Sequence, residues 1–250
     1  MREHDILLKT ADGEMDCFVC HPEEGGPHPA AIIYMDAPGI REELRDMARR
    51  MATVGYYVML PNMYYRTGRE GHYGFDLARI RTDDDERKKM FAVMNSLSNA
   101  LVVSDTQPML EYIRQTDAAA PGPVGITGYC MSGQYVVAVA AAFPEDVAAA
   151  ASFYGVGIIT DRDDSPHLSA DRIRGELYLA FAEEDQFVPD AILEELPGVM
   201  RKAGVDCRVE IYPGTEHGFA FPERAVYVKQ AGERHWERIF ALFDRKLRAR

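Results

Sequence analysis

The run Val124-Gly125-Ile126-Thr127-Gly128-Tyr129-Cys130-Met131-Ser132-Gly133 sets one thiol among small residues, between a β-branched segment and an apolar, helix-forming one. This is the pattern of a nucleophile elbow, in which a strand turns abruptly into a helix and lifts the apex side chain clear of the backbone. The strained apex needs small residues two positions before and two after it. Gly128 and Ser132 meet that need around Cys130, whereas Ser132 as apex would be flanked by Cys130 and the larger Gln134. The apex also sits at a helix N-terminus, where backbone N–H groups and the helix dipole favour a thiolate and an oxyanion.

A thiol nucleophile requires a base to take its proton and a third group to orient that base. Residues 177–182 read as a strand that ends in Glu183-Glu184-Asp185-Gln186-Phe187-Val188-Pro189. Residues 207–212 read as another, ending in Pro213-Gly214-Thr215-Glu216-His217-Gly218-Phe219. Ligands of open α/β sheets bind at the carboxyl ends of strands, so Asp185 and His217 join Cys130 as candidate acid and base. Asp185 is preferred to Glu183 and Glu184 because the apolar step Phe187-Val188-Pro189 that follows it anchors its loop.

The elements that carry these loops are legible in the pattern. Residues 6–10 and 15–20 flank the turn Ala11-Asp12-Gly13-Glu14 and predict an antiparallel hairpin. Residues 30–35 read as a buried strand, 42–54 as an amphipathic helix closed by Gly55, and 56–60 as a strand. Further on come strands at 124–127, 148–154, 177–182 and 207–212, with helices at 131–143, 190–203 and about 225–247. That alternation predicts a mainly parallel central sheet with helices on both faces. Residues 64–114 lack a strong strand and predict two or three helices with loops bordering the site. Pro121-Gly122-Pro123 is too short for a domain linker and reads as a turn, so residues 1–250 are expected to form a single domain.

The 250 residues carry a formal charge of −12, which argues against nucleic acid as a partner, since phosphate backbones are bound by clustered Lys and Arg. No apolar run approaches the ~20 residues that span a bilayer. The N-terminal Met1-Arg2-Glu3-His4-Asp5 lacks the apolar core of a secretory signal, so a cytoplasmic location is expected. Four cysteines spread along such a chain make a disulfide framework an unsuitable reading. Oligomeric state is not read from the sequence.

Gly128-Tyr129-Cys130-Met131-Ser132-Gly133, Phe153-Tyr154-Gly155-Val156-Gly157, Asp185-Gln186-Phe187-Val188-Pro189 and His217-Gly218-Phe219-Ala220, in that order and spacing, resemble segments of the dienelactone hydrolase family, a branch of the α/β-hydrolases. The resemblance covers nearly the whole chain. It implies a Cys130–His217–Asp185 triad, an oxyanion hole from the backbone N–H groups of Met131 and Ala37, and hydrolysis of small ester or lactone substrates through a thioester, with no cofactor or metal. It also places Asp36 where the family typically carries a Glu that contacts the thiol. The family's dienelactone enzymes hold a substrate carboxylate with two arginines. One of those positions is Phe221 here, the other aligns loosely with Arg87, and Tyr154 is expected to line the pocket.

Other patterns carry less. Cys17-Phe18-Val19-Cys20-His21 matches a covalent haem attachment motif but lies in a predicted strand, with no second ligand pair at zinc spacing. The methionines at 47, 51, 59, 63, 90 and 94 read as core, and Trp236 as packing for the last helix. The competing functional reading is a thiol-based redox sensor, or an inactive binding protein of the same fold, since an exposed low-pKa cysteine is also oxidisable.

Overall fold

The computed structural model describes residues 1–248, and within them chain contacts gather into two units, Met1–Pro121 and the residues from Gly122 onward. The boundary falls at the Pro121-Gly122-Pro123 turn.

In the first unit, strands β1 (Arg2–Thr10) and β2 (Gly13–His21) form the expected hairpin, in register from Arg2 opposite His21 to Thr10 opposite Gly13. Gly13 takes the positive φ that the turn demands, +140°. Strand β3 (Ala30–Tyr34) runs parallel to β4 (Tyr57–Pro61), and β4 pairs antiparallel with β2, so the order is β1-β2-β4-β3. Helix α1 (Glu42–Thr53) is followed by Gly55 at φ +94°. Residues 64–114 resolve into turns and two helices: α2 (Asp84–Met94), capped by the Asp83 carboxylate, and α3 (Asn99–Gln115), capped by the Ser98 hydroxyl.

The second unit is a parallel run of β5 (Val124–Tyr129), β6 (Val147–Phe153), β7 (Glu176–Glu184) and β8 (Cys207–Glu216), in that order. Every residue of β5 is buried, as a strand covered on both faces must be. Strand β8, at the end of the order, alternates buried and open positions. Helices α4 (Gly133–Ala142), α5 (Asp190–Lys202) and α6 (Lys229–Phe243) follow β5, β7 and β8.

Among the boundaries that differ from the sequence reading, three lie next to the candidate site. The helix expected from 131 starts as a short 3-10 turn over Cys130–Ser132, and α4 proper begins at Gly133. Strand β8 continues past Tyr212 to Glu216, its lengthening held by the Gly214 N–H bonded to the Glu183 carboxylate at 2.7 Å. Helix α6 begins at Lys229 rather than about 225, because residues 219–228 are closed into a loop by the bond from Val228 N–H to the Phe219 carbonyl.

Candidate active site

The elbow forms because its neighbours leave room for it. Tyr129 ends β5 in extended conformation, and Cys130 then takes φ +56°, a left-handed value that a non-glycine residue adopts only under constraint. A Cβ on Gly128 would lie 2.7 Å from Val136 and 3.0 Å from the Ser132 side chain, and one on Gly133 would lie 2.3 Å from the Gly155 Cα. Strand and helix therefore approach at the distance glycine permits. The loop after β6 clamps the turn: the Cys130 carbonyl accepts from Val156 N–H at 2.9 Å, and the Val156 carbonyl accepts from Gln134 N–H at 3.1 Å. Tyr154, the first residue past β6, also has positive φ, +40°, and its N–H bonds the Ala180 carbonyl of β7.

The ends of β7 and β8 bring Asp185 to His217. The His217 Nδ1 lies 2.8 Å from Asp185 Oδ2, with the side chains 8% and 1% exposed. The other Asp185 oxygen accepts from Phe187 N–H at 2.9 Å, so both carboxylate oxygens are engaged and the group is oriented. The rings of Tyr154 and Phe187 meet His217 edge to face, at 5.0 and 4.8 Å between centroids. Burial opposes the charged imidazolium, but Asp185 and the Cys130 thiol outweigh it, and His217 is pushed up to about 9. His217 Nε2 is buried without a hydrogen-bond partner among the described residues, and Cys130, which acts on the same imidazole, is partly open to solvent. Met131, next along the chain, is buried at the helix start.

Phe221 has no exposed surface. Its ring packs edge-on to Tyr129 at 5.2 Å and near Tyr154, which is also fully buried. Over its face lies the guanidinium of Arg224, at 4.8 Å, packed so closely on Gly218 that a Cβ there would sit 2.6 Å from Nη1. Sequence reasoning passed over Arg224; its one signal was its place in the short segment after His217.

Asp36, Ala37 and Arg87 belong to the first unit. Asp36 follows β3, is fully buried, and meets Arg41 through both oxygens at 2.6 and 3.2 Å; Arg41 also reaches Glu43 at 2.6 Å. Burial works against the Arg41 charge, yet the two carboxylates hold it above its ordinary value. Arg41 was not singled out from the sequence, although it stands five residues after Asp36 and an arginine is the natural partner for a buried carboxylate. The Ala37 carbonyl accepts from the Tyr64 hydroxyl at 2.8 Å, which fixes that peptide. Arg87 is exposed on α2 and pairs with Asp84 of the same helix. Among the described residues, no group of three or more His, Cys, Asp or Glu side chains could hold a metal ion, and no helix is long and apolar enough to cross a membrane.

The family model for the dienelactone hydrolase family matches residues 15–247, and the chain belongs to that family. It is 29% identical over 246 residues to a Synechocystis protein named "Putative carboxymethylenebutenolidase", covering 97% of this chain and 96% of that one. Aquifex pyrophilus "Protein usf" is 26% identical, covering 92% and 93%. Among solved structures, a Klebsiella pneumoniae protein described as "Putative Dienelactone Hydrolase" superposes with a TM-score of 0.84 at 22% identity, over 97% and 98% of the two chains. The dienelactone hydrolase-like promiscuous phosphotriesterase P91, from metagenomic libraries, gives 0.77 at 18% identity, over 98% of each. The fold is that of the α/β-hydrolases.

Proposed function

We propose that this protein hydrolyses small esters or lactones through a thioester on Cys130. The observation that carries the reading is a strained cysteine, at φ +56°, acting on a histidine that Asp185 orients at 2.8 Å and whose protonated form these two groups favour against burial, pushing it up to about 9. Attack requires the form in which the proton sits on His217 and the sulfur is a thiolate. Sulfur attacks the substrate carbonyl, and the Met131 N–H at the helix start donates to the oxyanion; losing one such donor typically costs ~10²–10³ in rate. The C–O bond then breaks and the leaving alkoxide takes the His217 proton. Neutral His217 next removes a proton from water, hydroxide attacks the thioester, and the C–S bond breaks to return the thiolate and the imidazolium.

Where the family's dienelactone enzymes carry an arginine this chain has the fully buried Phe221, so this position offers no cation for a charge-assisted hydrogen bond to a substrate carboxylate, which supports acceptance of neutral esters. The test is an activated aryl ester followed by rapid mixing and intact-mass analysis. One equivalent of alcohol released in a burst, an acyl adduct on Cys130, and continued turnover are expected. A stable adduct without turnover would favour the binding or redox role instead, and turnover with no adduct on Cys130 would overturn the proposal. A matched carboxylated and neutral lactone should differ by less than about tenfold in kcat/KM.

A further inference from the structure

Helix α6 carries a buried histidine for which the triad chemistry has no use. The buried face of the helix includes Ala231, Gly232, His235, Trp236, Ile239, Leu242 and Phe243, a seam on which every other side chain is apolar or small. A fully buried imidazole on such a face requires partners for both nitrogens. His235 Nδ1 lies 3.3 Å from the Gly232 carbonyl one turn back, and Nε2 lies 2.8 Å from the Tyr129 hydroxyl. A carbonyl only accepts, so Nδ1 bears the proton and Nε2 is left as an acceptor for the Tyr129 O–H. The ring is further fixed against Phe153, at 4.2 Å, which is paired with Tyr129 across β5 and β6.

Tyr129 is the residue immediately before Cys130. Its backbone is the last extended step of β5 before φ changes sign, so any rotation of that residue swings the thiol. Aromatic packing from Phe153 at 5.7 Å and Phe221 at 5.2 Å fixes the plane of its ring, and the hydroxyl bond fixes its far end. We propose that His235 is a positioning residue: by accepting the Tyr129 hydrogen bond it anchors the end of β5 and sets the direction in which Cys130 is presented to His217. The inference rests on the reading of Cys130 as nucleophile. Helix α6, which carries none of the proposed triad residues, then controls acylation through one hydrogen bond.

The experiment compares Tyr129→Phe, His235→Phe, His235→Gln and the double Tyr129→Phe/His235→Phe with wild type, alongside Cys130→Ala. Burst rate, kcat and KM on an aryl ester are normalised to folded protein, and the alkylation rate of Cys130 by iodoacetamide is measured separately. Expected are a fall of about tenfold in burst rate for Tyr129→Phe and His235→Phe, KM within about twofold, an altered alkylation rate, no further loss in the double variant, and substantial recovery in His235→Gln, whose amide oxygen can accept the same bond. Should His235→Phe fail to fold, Tyr129→Phe, which removes one oxygen, carries the test alone. An unchanged burst and alkylation rate in Tyr129→Phe, with Cys130→Ala inactive, would overturn the positioning role and leave the nucleophile standing. Turnover retained in Cys130→Ala would overturn both.

Discussion

Two stretches of this chain advertise cysteine chemistry, and they differ in backbone rather than in composition. Cys17-Phe18-Val19-Cys20-His21 lies within a regular antiparallel ladder, paired with β1 on one side and β4 on the other. Cys17 and Cys20 are three residues apart, so they point to opposite faces of β2, and both are buried. Burial pushes Cys20 up to about 12 and Cys17 higher still, with Asp16 adding to the latter. His21 spends its Nδ1 on the Pro22 carbonyl at 2.7 Å and stacks on Tyr57. Cys130 stands instead where the ladder stops, on a left-handed turn, partly open, with an oriented imidazole coupled to it. A cysteine becomes chemistry when the backbone presents it to a base and to solvent, and a regular strand does neither.

The largest expected effect separates the two regions. Cys130→Ala should reduce ester turnover by on the order of 10⁴-fold or more with circular dichroism unchanged, while Cys17→Ala, Cys20→Ala and Cys207→Ala stay within about twofold per folded molecule. Alkylation followed by peptide mapping should mark Cys130 first. Early labelling of Cys17 or Cys20 in folded protein would break the comparison.

Under the proposed mechanism, smaller losses follow from the groups that orient His217. Asp185→Asn should lower kcat by about 10²–10⁴, since the amide no longer favours the imidazolium or its tautomer. Glu183 acts on the same loop by another route, holding Gly214 N–H at 2.7 Å two residues before the end of β8. Glu183→Gln keeps an acceptor and should cost little, whereas Glu183→Ala should loosen the approach to His217 and lower kcat by a few-fold. Equal damage from Glu183→Gln and Asp185→Asn would shift the acidic role away from Asp185.

Much of this was legible because it depends on local steric demands. The elbow followed from Gly128, Cys130, Ser132 and Gly133, residues whose sizes matter within one turn, and the hairpin from Asp12-Gly13. Fully buried parallel strands such as β5 betray themselves as β-branched runs. The bond between Tyr129 and His235 could not be read that way, since it joins residues 106 positions apart and depends on how α6 lies on β5 and β6. Only the apolar periodicity at 231, 235, 239 and 242 could have indicated that His235 faces inward. Phe221 was legible as a departure from the family's arginine, yet its complete burial was not, because that depends on the rings of Tyr129 and Tyr154 packing onto it.

The smallest expected effect is on stability, and it distinguishes the elbow from the hairpin by pH. His217 rises from an ordinary 6.5 to about 9 in the fold, so folding favours its protonated form. The resulting stabilisation is complete below about pH 6.5 and is lost as pH rises through about 9. Its full size is on the order of 3 kcal/mol. For a chain of this length that corresponds to roughly 6–12 °C in Tm at most. Between pH 7 and 10 wild-type Tm should therefore fall relative to that of His217→Gln, and Cys130→Ala should show a shallower fall because one of the groups favouring the imidazolium is gone. Cys17→Ala should track wild type throughout, since burial keeps its thiol neutral across that range. Parallel Tm curves for wild type and His217→Gln would show that the fold does not favour the imidazolium and would overturn the prediction.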